Sequence, residues 1–169
     1  MSAYDRVGWR GEPMTRRQRQ ALLACEKAVQ QRYKAFYFTV PQGSWQQQTS
    51  YSGTSHTGAG VTDLQYPGLY SDVGYTTEAE KAKYRFVLRQ LREVARQAAF
   101  GRGPWDKDSN GNGMVLHFHV CDLDTRGQAE TVRNFQVPQY RGGYNGLDAG
   151  VRDRFPFRPD QLHKWRYHG

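Results

Sequence analysis

The segment from Met114 to Asp122 constrains the fold most, because polar and apolar side chains alternate along it as they do in a half-buried β-strand. Four side chains suited to a hydrophobic core point one way: Met114, Leu116, Phe118 and Val120. The opposite face carries Val115, His117, His119 and Cys121. The sequence therefore predicts a sheet with one face packed on a core and two histidines together on the other face.

Two amphipathic segments can cover the apolar face of that sheet. The first predicted helix begins at Pro13 or Thr15 and runs to about Lys34. The second spans 77–99, where Thr77 and Glu80 have the spacing of a capping box and Gly101 follows the end. A short helix is also predicted over 125–135, after the histidine strand.

Two short β-branched or aromatic runs, 35–40 and 61–65, predict further strands. Between them, residues 42–62 are rich in Gly, Ser, Thr and Gln and predict a long loop. The expected fold class is α+β, a small antiparallel sheet with flanking helices. The expected organisation is an extended N-terminal segment over 1–14, an α+β domain over 15–136, and an irregular basic and aromatic extension over 137–169.

The positive charge of the chain is concentrated at its two ends. The 169 residues carry a net charge of +8, yet the stretch 36–140 has as many acidic as basic residues. The ends suit an anionic cell wall, an acidic partner protein or simply solvent. Nucleic acid is a weak alternative, because the neutral middle has no basic stripe interleaved with aromatics. The chain shows neither a membrane-spanning apolar run nor a signal peptide, so no membrane partner is expected.

Neither the two cysteines nor a calcium-like pattern predicts a further functional site. Two cysteines without a CxxC pair predict neither a disulfide scaffold nor a thiolate metal site. Asp106, Asp108 and Asn110 imitate the start of a calcium loop, but His117 stands where the closing Glu belongs. The segment 101–113 is therefore predicted as a turn-rich connector, with calcium a remote alternative.

Three of the five histidines fall in two segments that suit metal binding. His56 lies on a glycine-rich loop, Asp63 follows seven residues later, and Gly58 and Gly60 allow the backbone to turn so that both side chains converge. With a histidine from the His117-Phe118-His119 strand, these residues make a three-ligand set that leaves one position open, as in catalytic zinc sites. An exposed polar strand face is the alternative interpretation of the His117-Phe118-His119 pattern.

These motifs resemble the zinc peptidases that group D-alanyl-D-alanine carboxypeptidases with lysostaphin-type and hedgehog-type domains. The likeness is closest to small actinobacterial and actinophage peptidoglycan peptidase-like proteins, which also carry a segment like Gln42-Gly43-Ser44 before the first histidine. The resemblance covers about residues 36–150. It implies zinc held by His56, Asp63 and His119 on the face of the sheet, and the stem peptide of peptidoglycan as substrate.

The chain departs from the family at the general base, since Leu116 and His117 stand where the carboxypeptidases carry a glutamate before the last histidine. Other members of the group use the first histidine of the H-x-H pair, so the resemblance makes His117 the candidate catalytic base. Four polar residues lead into the ligands and could bind substrate: Gln42, Tyr51, Thr54 and Ser55. Trp45 and Trp105 could line a cleft, although buried packing is the usual role of tryptophan.

The resemblance implies a phage-encoded lysin or virion-associated enzyme acting at the bacterial cell wall, with other virion proteins as partners of the basic ends. The alternative is a virion tail or baseplate protein, or a wall-binding module, that keeps the fold with little or no activity. The absent glutamate favours this alternative, whereas the complete His, Asp and His set favours the enzyme.

Overall fold

A computed structural model of the protein describes residues 2–46, 55–69, 73–108, 110–123 and 125–156. In these ranges the fold is α+β, with three α-helices, a two-stranded sheet and a four-stranded sheet, both antiparallel, which confirms the predicted class. The strands are β1 (Arg6–Trp9), β2 (Glu12–Thr15), β3 (Thr39–Gln42), β4 (Val61–Gln65), β5 (Gln97–Arg102) and β6 (His117–Asp122). The helices are α1 (Arg16–Gln30), α2 (Glu78–Glu93) and α3 (Val137–Arg141), with a 3₁₀ turn at Ser55–Thr57 and a π-helical turn at Val132–Gln136.

The N-terminal segment, predicted as an extended lead-in over 1–14, is extended but paired. Strands β1 and β2 form a hairpin whose turn, Arg10-Gly11, has positive φ at both residues, as tight hairpin turns require. Trp9 and Met14 from this hairpin are buried in the main hydrophobic core. The hairpin is therefore part of the folded domain, and α1 follows β2 directly in the chain.

Helix α1 has the predicted start and a slightly earlier end. The Thr15 hydroxyl accepts a hydrogen bond from the Gln18 amide at 3.1 Å and caps the helix. Leu22, Cys25 and Val29 form its buried stripe, as the sequence predicts. The helix ends at Gln30 rather than near Lys34.

Helix α2 begins as predicted, with both hydrogen bonds of the Thr77–Glu80 capping box present. Its predicted end at 99 is wrong, because the helix stops at Glu93 and β5 begins at Gln97. The apolar spacing of the small residues near 95–98 fits a helix, but pairing with β6 gives them a fully buried place in the sheet. Gly101 belongs to β5 instead of capping the helix, and a Cβ there would lie 2.8 Å from the Phe155 ring.

The four-stranded sheet has the order β3-β4-β6-β5 and separates two apolar clusters. The side chains of Phe118 and Val120 pack with α1 and α2 in the larger cluster. On the opposite face, Cys121 packs in a smaller cluster that includes Val132 and Tyr140, from the π-helical turn and α3. The predicted alternation along the histidine strand is therefore confirmed, and α3 lies over the face that carries the histidines.

The remaining strand boundaries shift by a few residues. Strand β4 has the predicted bounds 61–65, and β6 begins at His117 rather than at Met114. Strand β3 occupies Thr39–Gln42 instead of 35–40 and includes Pro41. Proline is tolerated there because β3 lies at an edge of the sheet.

The connector after β5 forms turns, as predicted. The Asp108 carboxylate accepts hydrogen bonds from the Asn110 and Asn112 amides at 2.9 and 2.8 Å, and the Asp106 carboxylate accepts one from the Gly103 amide at 3.3 Å. These acidic groups therefore close local turns of the kind that Asp favours.

The C-terminal part departs from its predictions. The short helix predicted over 125–135 lies further along, as the π-helical turn Val132–Gln136 and α3. The extension predicted as irregular from 137 onward therefore starts with a helix, and Phe155 returns to the main core. Residues 157–169 lie outside the described ranges. No helix in the described part of the chain is both long and apolar enough to cross a membrane.

Candidate metal centre

The structure brings together the three residues predicted as metal ligands. Asp63 and His119 are directly opposite each other in the register of β4 and β6, and His56 comes from the 3₁₀ turn that precedes β4. One ligand atom from each residue can be chosen so that all three lie within 4.8 Å of one another. His56 and His119 are buried and Asp63 is partly buried. This group could therefore bind a metal ion on the face of the sheet opposite α1 and α2.

Glycines place His56 above the sheet, as the sequence analysis predicts. Gly60 has a φ of +74°, which a side chain would make unfavourable, and it reverses the chain into β4. Gly58 lies so close to the segment 127–129 that a Cβ would stand 2.1 Å from the Ala129 nitrogen. The loop thus needs both residues, one for its backbone conformation and one for its close approach to a neighbouring segment.

Asp63 is the centre of the group and contacts both imidazoles. Its Oδ1 lies 2.8 Å from His119 Nδ1, and its Oδ2 lies 3.4 Å from His56 Nε2. The two imidazole rings meet edge to face, with centroids 5.3 Å apart. The two rings therefore approach the carboxylate with one nitrogen each.

The far nitrogen of each ring faces a carbonyl oxygen. His56 Nδ1 lies 2.9 Å from the Gly43 backbone oxygen, and His119 Nε2 lies 3.1 Å from Gln136 Oε1. In the tautomer whose N–H donates to this oxygen, each ring presents the lone pair of its other nitrogen toward Asp63, where a metal ion would bind. Second partners of this kind orient the histidines of metal sites.

Oxygen acceptors lie on both sides of each ring, so the site has more hydrogen-bond acceptors than two neutral imidazoles can satisfy, and one acceptor, Asp63, is an anion. A neutral imidazole has a single N–H, so it can donate to one of its two oxygen neighbours only. A proton can supply the missing positive charge, and so can a metal ion placed between the rings and Asp63. The arrangement is thus suited to hold a cation at the carboxylate.

The three groups differ in their affinity for a proton, because burial and neighbouring charges shift their pKa values in different directions. Burial acts to raise the pKa of Asp63, but His56, His117 and the hydrogen bond from His119 lower it well below its usual range. Burial also acts to lower the pKa of His56, yet the charge of Asp63 outweighs it and the pKa is raised. For His119 burial prevails over Asp63 and lowers the pKa. Without a metal, Asp63 is an anion and His56 is its preferred proton carrier.

The candidate base His117 lies on the same face as His119 and is directly opposite Arg102 of β5. Its Nδ1 is 2.9 Å from the Val115 carbonyl oxygen, which leaves Nε2 as the nitrogen able to accept a proton. A positive charge on His117 would lower the pKa of Asp63, so the two side chains are within electrostatic reach. This placement is compatible with the predicted role, which stays a prediction.

The predicted substrate-binding residues are only partly described. Gln42 is opposite Asp63 in the pairing of β3 with β4, and Ser55 is buried in the turn that carries His56. Tyr51 and Thr54 lie outside the described residues. The Arg6 guanidinium lies over the Trp45 ring, 5.5 Å from the centroid of that ring.

The segment Gln42-Gly43-Ser44 contributes backbone geometry. Gly43 supplies the oxygen that faces His56, and its own Cβ would lie 2.4 Å from the Pro13 oxygen. The buried Ser44 hydroxyl donates to the Val61 oxygen at 2.8 Å and accepts from the Val61 amide at 3.1 Å. This segment therefore ties the hairpin, the loop and β4 together beneath the metal centre.

Gln136 is the site residue that the sequence analysis does not identify. Its Oε1 faces His119 Nε2 and also lies 3.4 Å from the Cys121 sulfur. It comes from a π-helical turn, a rare irregularity that is frequent at functional sites. No spacing in the sequence relates Gln136 to the ligands.

Replacing Gln136 with leucine should weaken metal binding by about 10–100-fold, the usual cost of losing a partner behind a ligand. Leucine fills similar space but cannot accept the His119 N–H. Isothermal titration of zinc into the metal-free protein measures the change, and Gln136→Glu, which keeps an acceptor oxygen, should restore most of the affinity. Equal affinities for the wild-type and leucine proteins would show that Gln136 does not orient His119.

Comparison with known proteins finds no match to this chain among family models, curated proteins or solved structures.

Proposed function

We propose that the protein is a zinc-dependent peptidase that hydrolyses stem-peptide bonds of peptidoglycan. The observation that carries the proposal is the convergence of His56, Asp63 and His119, with both imidazoles oriented by oxygen partners. Two histidines and one carboxylate are typical of catalytic zinc, because they leave a position for water or substrate. The substrate class rests on the resemblance of the motifs to the carboxypeptidase and lysostaphin group.

Each residue of the site has its own role in the proposed reaction. His56 Nε2, an Asp63 oxygen and His119 Nδ1 would hold the ion, which supplies a polarised carbonyl and an acidified water. His117 would accept the proton of the attacking water at Nε2, since Nδ1 is engaged with the Val115 oxygen. Gly43 and Gln136 keep the two ligand rings in their binding tautomers.

The second candidate function is a virion structural or wall-binding protein that retains the fold, with or without the metal, and has little or no activity. The observation that favours it is the sequence before His119, where Leu116 and His117 replace the glutamate of the carboxypeptidases. In that case the metal would stabilise the loop around His56 without turning over substrate.

One experiment separates these functions. The purified protein is analysed for zinc and incubated with purified peptidoglycan, and the released fragments are identified by mass spectrometry. The peptidase should carry about one zinc per chain and release stem-peptide fragments, and His117→Ala should keep the zinc but lose about 100-fold or more in rate, as expected for a general base. Zinc without released fragments would support the binding module, and a protein that takes up no zinc and releases no fragments would overturn the peptidase.

A further inference from the structure

The outer surface of α1 is basic and carries no exposed carboxylate. Between Glu12 and Asp63 the sequence has six Lys and Arg residues and a single acidic residue, Glu26. Glu26 is buried, lies 2.9 Å from the Arg10 guanidinium and accepts a hydrogen bond from the Phe38 amide at 2.8 Å. The only negative charge of the helix is therefore turned inward, and its positive charges face solvent.

Two of the six cations are already engaged by acidic groups. Arg16 lies 3.9 Å from the Asp5 carboxylate, and Arg17 lies 3.5 Å from the buried Asp122 carboxylate. The other four are exposed and have no carboxylate within ion-pair distance in the described part of the chain: Arg19 and Lys27 on the helix, and Arg32 and Lys34 directly after its end. These four charges are free to meet a partner.

The exposed carboxylates of the neighbouring helix α2 are used within that helix. Glu78 pairs with Lys81 at 3.2 Å, and Glu93 lies 3.9 Å from Arg89. Glu80 accepts the hydrogen bonds that cap the start of α2. These acidic groups are compensated locally, so α1 keeps its excess of positive charge.

The spacing of the free cations suits a polymer better than a small anion. Arg19 and Lys27 are eight residues apart, which is about 12 Å along a helix. Salt screens exposed charges at this separation from each other, so a small anion would contact one cation at a time. A linear polymer with repeated negative charges can contact the cations in succession and release a counterion at each contact.

This surface belongs to the side of the sheet that faces away from the metal centre. Leu22 and Val29 of α1 pack in the main core with Phe118 and Val120, whereas His119 is on the opposite face of the same strand. A polymer lying on the outer surface of α1 would therefore leave the metal centre accessible.

We propose that the outer surface of α1 binds a linear phosphodiester polymer of the bacterial cell wall. Arginine is the cation best suited to phosphate oxygens, and lysine adds point charges beside it. The choice of a wall polymer rests on the proposed function, whereas the preference for a polyanion rests on the charges of α1. The bound polymer would hold the protein at the wall while the metal centre acts on stem peptides.

Titration of the full chain into fluorescently labelled wall teichoic acid, purified free of peptidoglycan, tests this surface by fluorescence anisotropy. The titration is repeated at several salt concentrations between about 50 and 300 mM. The logarithm of the binding constant should fall with the logarithm of salt concentration with a slope of about −3, as for four phosphate contacts on a flexible chain. Because this polymer contains no stem peptide, a failure to bind it would leave the peptidase proposal unaffected.

Two double variants connect the binding to α1. Arg19→Gln with Lys27→Gln removes two exposed cations without breaking an ion pair of the described chain, and it should weaken binding about 10-fold at low salt and reduce the slope by about 1.5. Lys107→Gln with Arg141→Gln is the matched control, because it removes the same net charge from exposed positions outside α1. The control should change the affinity by no more than about 2-fold.

Three results would overturn the proposal. Equal losses of affinity in the two double variants would attribute binding to net charge instead of to α1. Absence of binding by the wild-type protein at about 50 mM salt would exclude a polyanion site on this surface. Duplex DNA that displaces the wall polymer at a lower phosphate concentration would assign the surface to nucleic acid.

Discussion

Replacing His119 with alanine is expected to lower zinc affinity by more than about 100-fold. Loss of a residue that only orients a ligand costs about 10–100-fold, and loss of a ligand should cost more. His119 supplies one of the three ligand atoms and joins Asp63 to Gln136, with contacts of 2.8 and 3.1 Å. Its removal leaves two ligands and a Gln136 oxygen without its imidazole donor. Metal analysis after dialysis, together with isothermal titration of zinc, measures the effect.

His117→Ala is the matched control for this substitution. It removes the same type of side chain from the same face of the same strand, but His117 is not among the three residues whose ligand atoms lie within 4.8 Å of one another. Zinc affinity should therefore stay close to that of the wild type. A His119→Ala protein that keeps full zinc content, while folded by circular dichroism, would contradict the proposed ligand set.

Gly58→Ala is expected to destabilise the protein by about 3 kcal/mol and to lower its zinc affinity, because overpacking at this level displaces backbone. The new Cβ would stand 2.1 Å from the Ala129 nitrogen and 2.8 Å from the Gly127 oxygen. Both atoms belong to main chain, so the loop itself must move, and it carries His56 two residues earlier. Urea unfolding of the metal-free protein and zinc titration measure the two effects.

Gly8→Ala provides the control, since no atom lies within 4 Å of a Cβ at that position and its φ is not positive. Its stability should stay within about 0.5 kcal/mol of the wild type, as for ordinary surface changes. If Gly58→Ala were as stable as Gly8→Ala and bound zinc normally, the close approach of the loop to residues 127–129 would not position His56.

The sequence predicts part of the ligand set by local logic and the rest by the resemblance of its motifs to a known family. Alternation along 114–122 places His117 and His119 on one face, and the glycines around His56 indicate a turn before β4. Antiparallel pairing then sets Asp63 opposite His119. The first two steps use only side-chain period and backbone freedom, which neighbouring residues determine. The pairing of Asp63 with His119 joins residues 56 apart in the chain, and the choice of His119 over His117 rests on the family resemblance.

The fate of residues 94–102 could not be predicted in the same way. Ala95 and Ala98 continue the spacing of α2, and small residues favour a helix. In the structure Ala98 and Phe100 instead line the histidine face of the sheet, because β6 offers a partner for a strand at that edge. Tertiary pairing therefore overrides local propensity, and the predicted helix is too long.

The amino-acid sequence by itself determined the α+β class, the capped starts of α1 and α2, and the strand face that carries His117 and His119, since each depends on the spacing of residues near one another. Only the tertiary structure decided that the Gly43 and Gln136 oxygens face the two imidazoles. These contacts join segments 13 to 17 residues apart. The direction of a hydrogen bond between such segments is set by how the chain packs, and no local period records it.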